Sequence, residues 1–178
     1  MTALATWMAV AAIAAGSTAP AFQTQDVMGR AIEVPVAGHP VLLCFEGRAT
    51  AESAAKVSGE LHPRHPELVI YNVIDLTSLP SLLRGYAKSR VAAKQSEAVK
   101  SARDAWRAAG KTPPADLDAQ VHLAPQFDTK ILALYGITDA PKHAHLVLVG
   151  ADGRILGNWT TVPDAAAVEK ALAPAGDD

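Results

Sequence analysis

Residues 41–45 read Val-Leu-Leu-Cys-Phe, five consecutive apolar side chains. Because side chains alternate between the faces of a strand, an unbroken run of this kind suits a strand covered on both sides. The next five residues, Glu46-Gly47-Arg48-Ala49-Thr50, break the run with small and polar groups. Ala51–Leu61 then reads as a helix, with Thr50 placed as its N-cap and Pro63 and Pro66 ending it. Leu68–Ile74 is a second apolar strand, expected to lie parallel to the first across a right-handed crossover. Leu146–Val149 and Arg154–Trp159 read as a hairpin through Ala151-Asp152-Gly153, and Asp164–Ala173 as a closing helix. Strand and helix alternate, which predicts an α/β domain with a central sheet flanked by helices.

The chain has 178 residues, 49% of them hydrophobic, enough to build one sizeable core and no second one. Its net charge of −2 gives no global argument for nucleic acid or an anionic membrane. A single cysteine, Cys44, excludes an internal disulfide and any zinc site built on paired cysteines.

Four segments, in order, resemble the thioredoxin and redoxin superfamily. Gly16, Ala19, Pro20, Phe22, Asp26 and Gly29 match the spacing of its entry segment, and the run ending in Phe45 resembles its buried active-site strand. Tyr135-Gly136-Ile137-Thr138-Asp139-Ala140-Pro141 is similar to the stretch that delivers the family's cis-proline, here Pro141, and Leu146–Ile155 to its closing strands. The resemblance implies a thioredoxin-like fold with a central mixed sheet. It also places the family's Cys-x-x-Cys pair on Thr50 and Ser53, so the frame persists without the dithiol. On the peroxiredoxin pattern, Glu46 falls on the proline, Thr50 on the threonine and Ser53 on the peroxidatic cysteine. A hydroxyl at the helix start neither ionises near neutrality nor cycles through a disulfide or sulfenic acid. Thr50 and Ser53 are therefore expected to cap the helix. Cys44, inside the predicted strand, reads as a buried hydrophobe with a raised pKa; the competing reading is a one-cysteine oxidoreductase using that thiol.

The largest departure from a minimal thioredoxin is residues 79–126, expected to be a long helical insertion. Leu79, Leu82, Leu83, Tyr86, Val99, Ala102 and Trp106 recur at helical spacing as core-facing positions, with a break expected at Gly85. Residues 84–111 carry eight Lys or Arg against Glu97 and Asp104. Such a helix is either a solvated face or a surface for an acidic protein or another anionic partner. Arg90, Lys94, Lys100 and Arg107, together with Arg48 near the former redox turn, are the binding candidates. Nucleic acid is disfavoured because Tyr86 and Trp106 alone could stack. His143 and His145 share one face if extended, and His62 and His65 flank prolines in a turn where exposed histidine is ordinary. Without cysteines beside them, no metal or other cofactor is expected.

Residues 3–15 are uncharged and apolar, too short to span a bilayer, and no Lys or Arg precedes them. They read either as a signal-peptide core cut before Ser17 or as an N-terminal helix; the first makes the protein periplasmic or otherwise exported, the second leaves it cytoplasmic. The domain plan is an apolar segment 1–16, a thioredoxin-like domain 17–174 and a short tail 175–178. The functional expectation is a redox-inactive binding or assembly module whose partner is another protein.

Overall fold

The computed structural model describes residues 13–47, 49–138 and 142–173. Five strands form the central sheet: β3 (Val41–Glu46), β4 (Val69–Asp75), β5 (Val121–Gln126), β6 (His145–Val149) and β7 (Ile155–Trp159). Their order is β5-β4-β3-β6-β7; β3, β4 and β5 run parallel, and β6 and β7 are antiparallel to their neighbours. A hairpin of β1 (Phe22–Gln25) and β2 (Ala31–Val34) precedes the sheet. The helices are α1 (Ala51–Leu61), α2 (Arg84–Ala108), α3 (Lys130–Leu134) and α4 (Ala165–Leu172).

The apolar run of β3 is explained by cover on both faces. Val41, Leu43 and Phe45 join one cluster with the β1–β2 hairpin and α3, through Phe22, Ile32 and Tyr135. Leu42 and Cys44 point the other way, into a second cluster with Ala54, Val57 and Leu61 of α1 and Val168 of α4. Those three α1 residues are spaced three and four apart, one helical stripe. Asp164 caps α4 by accepting from the Ala167 N–H at 2.8 Å. Gly153, at φ +79°, turns the chain between β6 and β7.

As an edge strand, β5 presents unpaired backbone groups, and side chains from elsewhere meet them. The Gln95 amide donates to the Val121 carbonyl at 2.8 Å and accepts from the Leu123 N–H at 2.9 Å. On the hairpin side, Val27 N–H donates to the Leu123 carbonyl at 2.8 Å. Arg30 reaches the Asp118 and Val121 carbonyls while its Nε donates to Asp26 at 2.6 Å. Asp26 also faces His122 Nδ1 at 2.9 Å, and His122 Nε2 lies 2.9 Å from the Ala119 carbonyl. Burial alone would push the Asp26 carboxyl up, but the hydrogen bonds from His122 and Arg30 outweigh it and hold the group below the ordinary carboxylate range. This buried cluster ties the hairpin to β5.

The segment expected as a helical insertion differs in two respects. Its end, Val121–Gln126, is a full member of the sheet. Its middle is one unbroken helix, with Gly85 in the first turn rather than at a break. The buried residues of α2 are Gln95, Val99, Ala102 and Trp106, so the eleven helical residues before Gln95 bury none. Leu82, Leu83 and Tyr86, expected in the core, are 93%, 49% and 68% exposed. The reason is length: 25 helical residues span about 37 Å, against about 20 Å for a six-residue strand. The N-terminal half of α2 therefore runs past the sheet it packs on.

Candidate functional site

The turn that holds Thr50 lies where β3 ends and α1 begins. Thr50 occupies the N-cap position but does not cap the helix: its hydroxyl accepts from the Gly47 N–H at 3.0 Å and donates to the Gly47 carbonyl at 3.2 Å. The hydroxyl closes the turn backwards, leaving the first helical N–H groups to other partners. Ser53 is exposed in the first turn of α1. The Thr50 hydroxyl, satisfied by the Gly47 N–H and carbonyl, is not available to the helix. Arg48 and Pro141 lie outside the described residues.

Cys44 is fully buried, its Sγ 3.9 Å from the Ser58 hydroxyl. Burial first, and the neighbouring Glu46 second, push its thiol far above the range in which a thiolate forms. Glu46 follows on the same face of β3, two residues further along, and is only 4% exposed. Its Oε2 has no hydrogen-bond partner. Burial raises its carboxyl to about 8, so at neutral pH it is mostly a neutral acid.

Glu46 lines one end of a cavity of about 1150 Å3 between α1 and α2, floored by β4 and β5. Its α1 wall is made of small residues, Ala51, Ala55, Ser58 and Gly59, and its α2 wall includes Tyr86, Ala87 and Val91. His62 lines it as well and, against expectation, is buried to 1% exposure. Trp106 from α2 donates its indole N–H to His62 Nδ1 at 2.9 Å, which covers the histidine. With Nδ1 accepting and burial favouring the uncharged ring, the proton of the neutral imidazole sits on Nε2, which has no partner. His65 stays at the surface, 3.3 Å from a Glu67 oxygen.

The four proposed cationic contacts do not form one patch. Arg90 and Lys94 line the cavity, whereas Lys100 and Arg107 do not. Lys94 is paired with Glu97, and Arg107 with Asp104 at 3.2 Å. His143 is exposed before β6, and His145 is the first residue of that strand, opposite Phe45. Among the described residues, no group of three or more His, Cys, Asp or Glu could hold a metal ion.

Sequence reasoning missed Glu46 and His62 as site residues. The signal for Glu46 was present, since a residue two after a core-facing position in a strand points to the same side. Nothing local marked His62, because Trp106 lies 44 residues away.

The strand order, the helix after the central strand and the closing hairpin define a thioredoxin-like fold, carried here by a chain with no Cys-x-x-Cys pair. No protein-family model matches the chain, and none of the curated proteins does. Among solved structures, it is similar to a putative thiol:disulfide interchange protein DsbE from Chlorobium tepidum, at TM-score 0.60 and 14% identity over 89% of this chain and 95% of that one. A thiol:disulfide interchange protein from Bacteroides sp. matches at TM-score 0.56 and 20% identity, covering 93% and 95%. A thioredoxin-like protein from Aeropyrum pernix matches at 0.53 and 14%, covering 85% and 87%. The likeness is one of fold.

The raised Glu46 has a stability consequence. Between its ordinary value of 4.5 and about 8, the unfolded chain has released this proton while the folded chain keeps it. Stability therefore falls with rising pH across that window, by up to about 1.4 kcal/mol per pH unit. Glu46→Gln should match the wild type near pH 4 and exceed it by a few kcal/mol near pH 8, as read by urea denaturation at both pH values. Parallel stability curves for the two proteins would show that the carboxyl is not held neutral.

Proposed function

We propose that this protein is a redox-inactive thioredoxin-like binding module whose partner is an acidic protein. The observation that carries the reading is the state of the only thiol: Cys44 is sealed inside the sheet, while Thr50 and Ser53 occupy the dithiol positions. Hydroxyls there have no two-electron chemistry to offer a disulfide or a peroxide. The solved proteins of similar fold include thiol:disulfide interchange proteins, whose named activity needs thiols that this chain lacks at the corresponding turn.

The proposed docking surface is the N-terminal half of α2 and the turn before it, where exposed Leu82 and Tyr86 stand among Arg84, Lys88 and Arg90. Apolar side chains ringed by cations suit a partner with apolar anchors and a carboxylate rim. Export is the proposed location, on the strength of the uncharged apolar segment 3–15. Among the described residues, no helix is long and apolar enough to cross a membrane. Protein recovered from the producing cells should begin at Ser17 if the segment is a cleaved leader, as N-terminal sequencing would read.

The purified protein should neither reduce insulin disulfides nor consume peroxide with a thiol reductant. A thiol reagent should label Cys44 slowly in the native state and rapidly in denaturant. Turnover that disappears in Cys44→Ser would establish the one-cysteine oxidoreductase instead. For the docking surface, partner capture from extract should weaken steeply as salt rises, because exposed charges are screened within about 10 Å at 0.1 M. Replacing Arg84, Lys88 and Arg90 with Gln should abolish capture at low salt with the fold intact, since the buried positions Val99 and Trp106 are untouched. Equal capture by both proteins at every salt concentration would remove α2 from the interface.

A further inference from the structure

We propose that the cavity between α1 and α2 binds a hydrophobic organic cation, with its ammonium group paired to Glu46 and its apolar body lying along the small-residue face of α1. This site shares Tyr86 and Arg90 with the proposed partner surface of α2, but binding of a small molecule at Glu46 is measured without any partner present.

Three observations converge on it. The cavity, at about 1150 Å3, is of the size that takes an elongated small molecule, and its walls include Ile70, Ile74, Leu79 and Val91. A carboxyl that is 4% exposed turns into it with one oxygen lacking any partner. Buried polar groups are nearly always satisfied, so an orphaned carboxyl inside an apolar cavity marks a place where a ligand supplies the missing partner. The third observation is the surrounding charge. Glu52, Asp75 and Glu97 also line the cavity, against Arg90 and Lys94. Lys94 is committed to Glu97, and Asp75 accepts from the Thr77 N–H at 2.9 Å. Among the described residues, Arg90 is then the one lining cation without an ion-pair partner, against Glu52, Asp75 and the Glu46 carboxyl in the same lining. An anionic head group would add to that excess, and an ammonium relieves it.

The geometry also sets the shape of the ligand. Glu46 ends β3, five residues before α1 begins, and His62 follows the last residue of α1, whose eleven residues span about 16 Å. Between them α1 presents Ala51, Ala55, Ser58 and Gly59, which leave room beside the helix where larger side chains would fill it. A straight alkyl or polyaromatic body fits such a trough better than a compact one. His62, held neutral by burial, adds no charge at the far end.

Binding of a cation shifts Glu46 from its neutral to its charged form, so uptake of the ligand releases a proton. Glu52, Asp75 and Glu97 from the neighbouring elements, with Tyr86, Arg90, Lys94 and His62, are the other described titratable groups lining the cavity. Cys44 lies behind Glu46 on the same strand, and Arg48 is outside the described residues.

The test is calorimetric titration of the full chain with decylammonium, decanol and decanoate, each below its micelle concentration, at pH 6, 7, 8 and 9. Decylammonium should bind with one-to-one stoichiometry, at least tenfold more tightly at pH 9 than at pH 6. Titrations in buffers of different ionisation enthalpy should report protons released on binding at pH 7. Decanol and decanoate should each bind at least tenfold more weakly than the amine at pH 8. Glu46→Gln, which has nearly the shape of the neutral acid, should weaken the amine at least tenfold at pH 8 and flatten its pH profile. Ala87→Trp, which fills the α2 wall without touching Glu46, should abolish binding with the thermal midpoint preserved. Should Glu46→Gln fail to fold, the proton release and Ala87→Trp decide the matter. Decanol or decanoate binding as tightly as the amine, an unchanged Glu46→Gln, or no saturable uptake of decylammonium by folded wild type would each overturn the proposal.

Discussion

The double cover of β3 is the constraint on which the rest of the structure depends. A strand pressed between a hairpin and two helices has no solvent face, so each side chain on it is either apolar or costly to bury. Cys44 meets that demand as a small hydrophobe, and Glu46 meets it by staying protonated. The same cover that seals the thiol from reagents therefore creates the one buried acid of the α1 side. Inertness at position 44 and latent charge at position 46 are two effects of one environment.

A mismatch of lengths shapes everything around that acid. The stripe Gln95, Val99, Ala102 and Trp106 fixes the lower part of α2 against β5 and against His62. The upper part buries no side chain of its own and faces α1 across a trough floored by β4 and β5. Its leucines and tyrosine are exposed for the same reason. One element, anchored at one end only, thus provides both the cavity wall and the exposed surface. The Asp26, Arg30 and His122 cluster prevents the edge strand under α2 from being similarly loose, since it holds β5 to the hairpin through buried, charge-assisted hydrogen bonds.

A thioredoxin-like fold does not by itself carry thiol chemistry, because the scaffold and the nucleophile are separable. In this chain the strand, turn and helix that would present a dithiol are intact, and the hydroxyl of Thr50 is used to close the turn on Gly47. What the turn retains is position: it delivers Glu46 to the head of the trough.

By itself the sequence determined the central strand, the helix after it, the parallel pairing of β3 with β4, the closing hairpin and helix, and the absence of a dithiol. These follow from local patterns: an unbroken apolar run, proline stops, an Asp-Gly turn and the residue types at positions 50 and 53. Tertiary structure alone decided that Leu82, Leu83 and Tyr86 are exposed despite their helical spacing, that Val121–Gln126 joins the sheet, and that Thr50 bonds backwards. It alone placed His62 in the interior, covered by a tryptophan 44 residues away. Helical periodicity says which residues share a face and nothing about whether a neighbour is long enough to cover it. Burial depends on the relative lengths and separations of elements far apart in the chain, and no local pattern encodes those distances.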